Sequence, residues 1–251
     1  MTCSAGNHGQ GVALAGQIAG ARVEVYVPQD AAAIKIDKMQ ALGAAVVRVP
    51  GLYGDAEAAA IRAARDQDKQ YVSPYNDRLV MAGAGTTSLE FLEQAPGLTA
   101  LFLPVGGGGL ISGAGSAARA TRPGISILGL QSENSAFMHA EFYRGDSSGV
   151  ADLPTLTDGL AGSIEPGSAT IPITREIAEA ILLVTELEIE RAIAYAYHRH
   201  GQVIEGSGAV GLAAVLAGKA PRSTEPGLLV TGGNINPDVH ASICAKWPDR
   251  R

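Results

Sequence analysis

Apolar and polar positions along the chain switch between two periods, one suited to strands and one to helices. In ARVEVYVP (21–28), Val23, Val25 and Val27 alternate and Pro28 stops the run, which predicts a strand. The next stretch, DAAAIKIDKMQALG, places Ile34, Lys38 (by its aliphatic stem), Met39 and Leu42 at helical spacing, and Gly43 ends it. AAVVRVPG (44–51) reads as a strand, DAEAAAIRAARDQDKQ (55–70) as an Ala-rich helix, and YVSPYN closes a β-α-β-α-β unit with a small parallel sheet. No strand is legible before SAGNHGQG (4–11), which is followed at once by a helical pattern.

A second unit starts near Asn76. RLVMAGAGTTSLEFLEQ predicts a helix, TALFLPVG a buried strand, and GGGLISGAGSAARAT a glycine-led helix. ISILGLQS is another strand, residues 144–172 are loop-rich, and ITREIAEAILLVTELEIERAIAYAYHRHG supplies a strand and a helix. EGSGAVGLAAVLAG predicts a helix and GLLVTGGN a last strand that ends in a glycine turn. The expected organisation is a small domain, 1–75, and a larger one, 76–251.

Composition narrows the class. A chain of 251 residues, 46% hydrophobic and 18% charged, has the make-up of a soluble α/β globule, and no apolar run is long enough to span a bilayer. The net charge of −6 and the lack of a basic stripe argue against nucleic acid. Cys3 and Cys244 lack metal-ligand spacing and read as reduced thiols, and no leader pattern opens the chain, so a cytoplasmic protein is expected.

Chemistry concentrates where the glycines do. In LFLPVGGGGLISG (101–113) a buried strand enters four glycines and then a helix. Amides at such a helix start, unshielded by side chains, form an anion cradle reinforced by the helix dipole. The run lacks the Lys-Ser/Thr of a nucleoside-triphosphate loop, and as GxGxxG its third glycine would fall on Ile111. A dinucleotide-binding protein also lacks its ribose-binding acid here. Thr231, after the last strand, is placed to give one hydrogen bond to a ligand ring, and Asn7 and His8 open a helix with the amides of Ser4 to Asn7 available for a carboxylate.

SAGNHGQG, the tetraglycine loop and TGGN stand in the order found in fold-type-II pyridoxal-phosphate (PLP) enzymes, the threonine/serine dehydratase and serine racemase group, which this chain resembles. GAGTTSLE (83–90), TDGLAG (157–162) and IEGSGAVGLAA (204–214) are similar to intervening landmarks, so the resemblance covers essentially the whole chain. It implies the two-domain, three-layer α/β fold of tryptophan synthase beta-like enzymes, with the N-terminal part of the large domain missing. It further implies that Gly106, Gly107, Gly108 and Gly109 hold the cofactor phosphate, that Asn7 bonds the ring hydroxyl, and that Thr231 faces the pyridine nitrogen. Ser4, Ala5, Gly6, Asn7 and His8 would receive the carboxylate of an amino-acid substrate.

The resemblance also marks departures. The family's Schiff-base lysine lies upstream of the SAGNH-like loop, in a Ser-Phe-Lys context. Lys35, Lys38, Lys69, Lys219 and Lys246 match nothing of the kind, so no catalytic residue of that role is expected in this chain. Relatives read Val-Thr where this chain reads Met1-Thr2, which suggests a shortened form of a longer dehydratase. Ala5 stands where racemases carry a second acid/base serine, which disfavours racemisation. Gln131, Ser135 and Phe137 stand where some members carry cation ligands, and Glu133 is out of register, so no metal is expected. The chain ends at KWPDRR with no regulatory domain, which makes end-product feedback unexpected. Surface left open by a missing segment predicts poor solubility or a homodimer that buries it. Two readings stay open: a dehydratase-like lyase rendered inactive by the absent lysine, and a non-catalytic PLP-fold protein binding cofactor or a partner subunit.

Overall fold

The computed structural model describes residues 1–31, 33–221 and 225–249, and the Ile34 side chain expected on the second helix lies outside the described set, as do Arg250 and Arg251. The chain forms two compact units, Met1–Asp77 and Arg78–Arg251.

The first unit holds β1 (Thr2–Cys3), α1 (Asn7–Ala19), β2 (Glu24–Pro28), α2 (Ala33–Ala41), β3 (Ala45–Val49) and α3 (Tyr53–Asp66). The strands form a parallel sheet in the order β1-β2-β3. Alternation in β2 sends its valines to one side, where Val25 and Val27 pack with Ala13 of α1 and Ile36 and Met39 of α2. Tyr26 faces the other side, with Cys3 and with Ala56 and Ala60 of α3.

This sheet corrects the sequence reading. Its third strand is β1, where none was legible, and YVSPYN is not a strand. Thr2 and Cys3 pair with Val25 and Tyr26. Instead, Val72 of this segment and Gln70 just before it tie down the chain start: the Met1 ammonium donates to the Gln70 carbonyl at 2.6 Å, and the Val72 amide donates to Met1 O at 2.8 Å.

The second unit contains α4 (Arg78–Gln94), β4 (Ala100–Pro104), α5 (Ser116–Thr121), β5 (Ser126–Ser132), α6 (Phe137–Arg144), α7 (Thr170–Ile177), β6 (Ala180–Val184), α8 (Glu186–His200), α9 (Gly206–Leu216), β7 (Pro226–Leu228) and α10 (Pro237–Lys246). Its parallel sheet runs β6-β5-β4-β7. Every residue of β4 is buried, as expected for a strand covered on both faces. Phe102 and Leu130 pack with Ile189 and Ile193 of α8 and Val210 of α9.

Strand order fixes where a ligand belongs. From β4 the chain steps outward to β5 and β6, then returns to the other side of β4 for β7. The order reverses between β4 and β7, and ligands of open α/β sheets bind beyond the strand ends at such a reversal.

Three local features differ from the sequence reading. The glycine-led helix begins at Gly109 but passes through a π-turn, Ile111–Gly115, before α5. There Gly113 packs on α4 so closely that a Cβ would stand 1.9 Å from the Met81 carbonyl oxygen. Helix α6 forms where the sequence pattern predicts no element. The last strand stops at Leu228, so Thr231 and the glycines after it lie outside the sheet. Their backbone is used elsewhere: Gly232 O accepts the Glu205 amide at 2.9 Å, and the Asn234 amide donates to Glu205 Oε2 at 2.8 Å.

Candidate functional site

In the second unit the tetraglycine loop leaves the C-terminal end of β4. The Val105 amide makes the last sheet bond, to Leu130 O at 2.8 Å. Gly108 has φ +89°, a conformation open to glycine and strained for any residue with a side chain. The loop also lies hard against the protein. A Cβ on Gly106 would stand 2.9 Å from Leu160 Cα, and one on Gly108 would stand 2.7 Å from Met138 Cε and 2.9 Å from Thr170 Cβ.

Peptide orientation is set by a side chain. Thr170 Oγ1 donates to Gly107 O at 2.6 Å, and Ser168 Oγ lies 2.8 Å from that hydroxyl. Thr170 has one proton, directed at Gly107, so Ser168 donates to Thr170. A trans peptide places its N–H opposite its C=O, so the Gly108 amide points away from Thr170. Helical structure starts at Gly109 and continues to residue 121, with the positive end of its dipole at the loop. Backbone amides, no side chain and a helix N-terminus suit a phosphate.

Thr231 follows the C-terminal end of β7, the strand next to β4 on the far side of the reversal. It is exposed, and its backbone passes the start of α9, where a Cβ on Gly208 would stand 3.3 Å from the Thr231 nitrogen. Residues 155–162 complete this group. Leu160 backs Gly106, and the Gly159 amide donates to Ser207 Oγ at 3.1 Å at the start of α9. The tetraglycine loop, TDGLAG, IEGSG and TGGN are therefore packed one against the next within this unit.

In the first unit Ser4 to His8 form the turn from β1 into α1. Gly6 is the N-cap, and no side chain caps the first turn. The amides from Ser4 to Asn7 are not all available, contrary to expectation. The Ser4 amide continues the sheet by donating to Tyr26 O at 3.1 Å, and the Gly6 amide donates to Ser4 Oγ at 3.1 Å. Ser4 is buried, Asn7 is exposed, and Ala5, Gly6 and His8 are half-buried.

His8 is held from below. The buried Thr2 hydroxyl donates to Val72 O at 2.7 Å, and His8 Nε2 lies 3.0 Å from Thr2 Oγ1. With the Thr2 proton directed at Val72, His8 Nε2 carries its own proton and donates it, leaving Nδ1 bare in the neutral ring. Burial pushes the His8 pKa below its ordinary value, against smaller opposing effects of the Val72 carbonyl and Asp77. Burial also pushes the Cys3 thiol up to about 12, so it is no nucleophile at neutral pH.

The positions where a cation was not expected are engaged in protein contacts. Gln131 Oε1 accepts the His139 amide at 3.0 Å, Ser135 Oγ donates to Asp152 at 2.7 Å and accepts the Gly162 amide at 3.0 Å, and Phe137 is buried. Among the described residues no three His, Cys, Asp or Glu side chains group as metal ligands, and no helix is long and apolar enough to cross a membrane.

Parallel α/β units with a glycine loop at a strand-order reversal agree with the fold-type-II architecture that the resemblance implies, and comparison with known proteins shows the family. Residues 1–232 match the family of pyridoxal-phosphate dependent enzymes, and the chain belongs to that family. It is 39% identical to the L-threonine ammonia-lyase of Thermotoga maritima over 98% of this chain and 61% of that protein. The likeness to the Geobacter sulfurreducens L-threonine ammonia-lyase is 37% over 94% of this chain and 59% of that protein, so the chain spans about three fifths of these relatives. Among solved structures, maize serine racemase superposes with a TM-score of 0.86 at 30% identity, covering 98% of this chain and 76% of that one.

Sequence reasoning did not single out Thr170 or Leu160 around the tetraglycine loop. Leu160 lay within a recognised landmark, TDGLAG, but nothing local signals which backbone it touches.

Proposed function

We propose that this chain is the cofactor- and substrate-binding part of a PLP-dependent ammonia-lyase, a threonine/serine dehydratase that turns a hydroxy amino acid into a 2-oxo acid and ammonia. One observation carries the reading: the tetraglycine loop and the Thr231 turn leave adjacent parallel strands, β4 and β7, at the reversal of strand order. The names of the ammonia-lyase relatives point to the same chemistry.

In this reading the amides of Gly106 to Gly109 and the helix dipole hold the phosphate, which costs little reorganisation because Gly108 and the Gly107 carbonyl are already fixed. Thr231 offers a neutral hydroxyl to the pyridine nitrogen and Asn7 a side-chain amide to the ring hydroxyl. PLP, when bound, supplies the electron sink for chemistry at the substrate Cα. Gly6, His8 and their neighbours orient the substrate carboxylate, with His8 neutral at physiological pH. Ala5 brings a methyl where a proton donor would be needed for racemisation, which leaves elimination as the favoured outcome. In this reading the protein pairs with a second copy, the partner expected from the sequence.

None of the chain's lysines serves as the Schiff-base amine in this reading. Lys69 is held by Glu24 at 2.5 Å, Lys219 by Glu188 at 2.6 Å and Lys246 by Glu190 at 2.6 Å, and Lys35 and Lys38 lie on α2. The chain by itself then binds PLP without a covalent link and does not deaminate threonine or serine. The test is PLP binding by equilibrium dialysis, followed by borohydride and mass spectrometry. Saturable binding with no pyridoxyl-lysine is expected. A pyridoxyl group on one of these lysines at stoichiometric yield overturns the lysine assignment, and absence of saturable binding overturns the cofactor reading.

A further inference from the structure

The loop 155–162 backs both the first glycine of the tetraglycine run and the start of α9, and one carboxylate holds it. Glu186, the first residue of α8, accepts the Thr155 hydroxyl on Oε1 at 2.7 Å and the Leu156 amide on Oε2 at 2.7 Å. The same Oε1 accepts the Ser132 hydroxyl, from the end of β5, at 2.6 Å. Thr157, completely buried, lies 2.9 Å from Thr155 Oγ1, and its amide donates to that oxygen at 3.0 Å. The Thr155 proton is directed at Glu186, so the Thr157 hydroxyl donates to Thr155. The carboxylate thus organises a chain of hydroxyls and clamps the loop to the sheet.

The loop has no slack beyond the clamp. A Cβ on Gly206 would stand 2.2 Å from Leu156 O, and one on Gly106 would stand 2.9 Å from Leu160 Cα. Between these points the Leu160 amide closes a turn on Thr157 O at 2.8 Å. A shift of Leu156 therefore transmits to Leu160 and to the backbone of Gly106.

We infer that Glu186 is a positioning residue for the tetraglycine cradle, acting through loop 155–162 rather than by touching a ligand. The inference rests on the reading of Gly106 to Gly109 as the phosphate loop. Charge-assisted hydrogen bonds are the strong kind, and a carboxylate at a helix start also gains from the helix dipole. Glutamine is nearly the same shape but uncharged. With its carbonyl on the Leu156 amide, its NH2 faces the two hydroxyls, which must turn round to accept and so give up their charge-assisted bonds and redirect the Thr157 hydroxyl.

The test compares Glu186→Gln with Glu188→Gln in the whole chain. Glu188 lies in the same helical turn but closes the capping box with Thr185 and pairs with Lys219. The two variants loosen one helix end in different ways, and only the first breaks the clamp. In Glu186→Gln, hydrogen exchange of amides in 155–162 and of the Ser112 amide, which donates to Gly108 O at 2.9 Å, should rise about tenfold, and the dissociation constant for PLP should rise by a similar factor. In Glu188→Gln these amides and the PLP affinity should stay as in the parent. Exchange that rises in 155–162 but not at Ser112 overturns the inference and leaves the phosphate reading intact. A parent chain that binds no PLP overturns the phosphate reading, while exchange at Ser112 still judges Glu186. If Glu186→Gln does not fold, Thr155→Val removes one of the clamp's bonds from the loop side. Raised exchange at Ser112 then supports the inference, and unchanged exchange there overturns it.

Discussion

Two turns, Ser4–His8 in the first unit and Gly106–Gly109 in the second, share one plan: a parallel strand, small residues, then a helix N-terminus. They are built in opposite ways. The tetraglycine turn is constrained by its own backbone, with φ +89° at Gly108 and no room for a methyl at Gly106 or Gly108. The Ser4–His8 turn is held by side chains, with Ser4 Oγ taking the Gly6 amide and Thr2 supporting His8. Gly6 has φ −134°, and a methyl added there would meet nothing within 4 Å, so nothing in the protein itself demands a glycine. The glycines of one turn thus answer to a fold constraint, and the single glycine of the other to open space.

The sharpest break of this comparison is Gly108→Ala. The positive φ and the approach of Met138 and Thr170 together should cost about 3 kcal/mol, read as a lower urea midpoint at unchanged slope. A loss below about 0.5 kcal/mol, the scatter of ordinary surface changes, would show that this turn is no more constrained than the other.

A smaller effect separates the turns by pH. The Ser4–His8 turn contains a titratable group, and the tetraglycine turn contains none. Burial holds the His8 pKa in the fold below its unfolded value near 6.5, so the unfolded chain binds the extra proton first. Its contribution is fully present above about pH 6.5 and is lost as pH falls through that value toward the folded pKa. Burial lowers His139 and His240 as well, so the parent alone does not isolate His8. The difference in stability between the parent and His8→Gln should therefore narrow from about pH 7.5 to about pH 5.5. A difference that is flat across this range contradicts the buried neutral ring.

Much of this architecture was legible in the sequence because it rests on local signals. Helix 78–94 follows its pattern to the residue, and the apolar run at 100–104 is the buried centre of a sheet. What escaped was either too short or too distant. Two residues, Thr2 and Cys3, make a strand only because β2 offers them an edge, and no periodicity can show in two positions. Thr231 sits off the sheet because Glu205 claims its neighbours, and Glu186 reaches Thr155 across 31 positions. Such partners are chosen by the fold, and no local pattern announces them.

The smallest expected change in stability is the most informative about the first turn. Gly6→Ala places a methyl in open space at an ordinary negative φ, so the urea midpoint should move by less than about 0.5 kcal/mol. If the turn receives the carboxylate of a substrate, the same methyl occupies the approach, and threonine binding in the presence of PLP should weaken about tenfold or more. The outcome to expect is therefore a variant as stable as its parent and poorer at binding, the reverse of Gly108→Ala, where the fold itself suffers. Unchanged stability together with unchanged binding would mean that the open space at Gly6 serves no ligand. The contrast between the two turns would then reduce to one constrained loop and one permissive one.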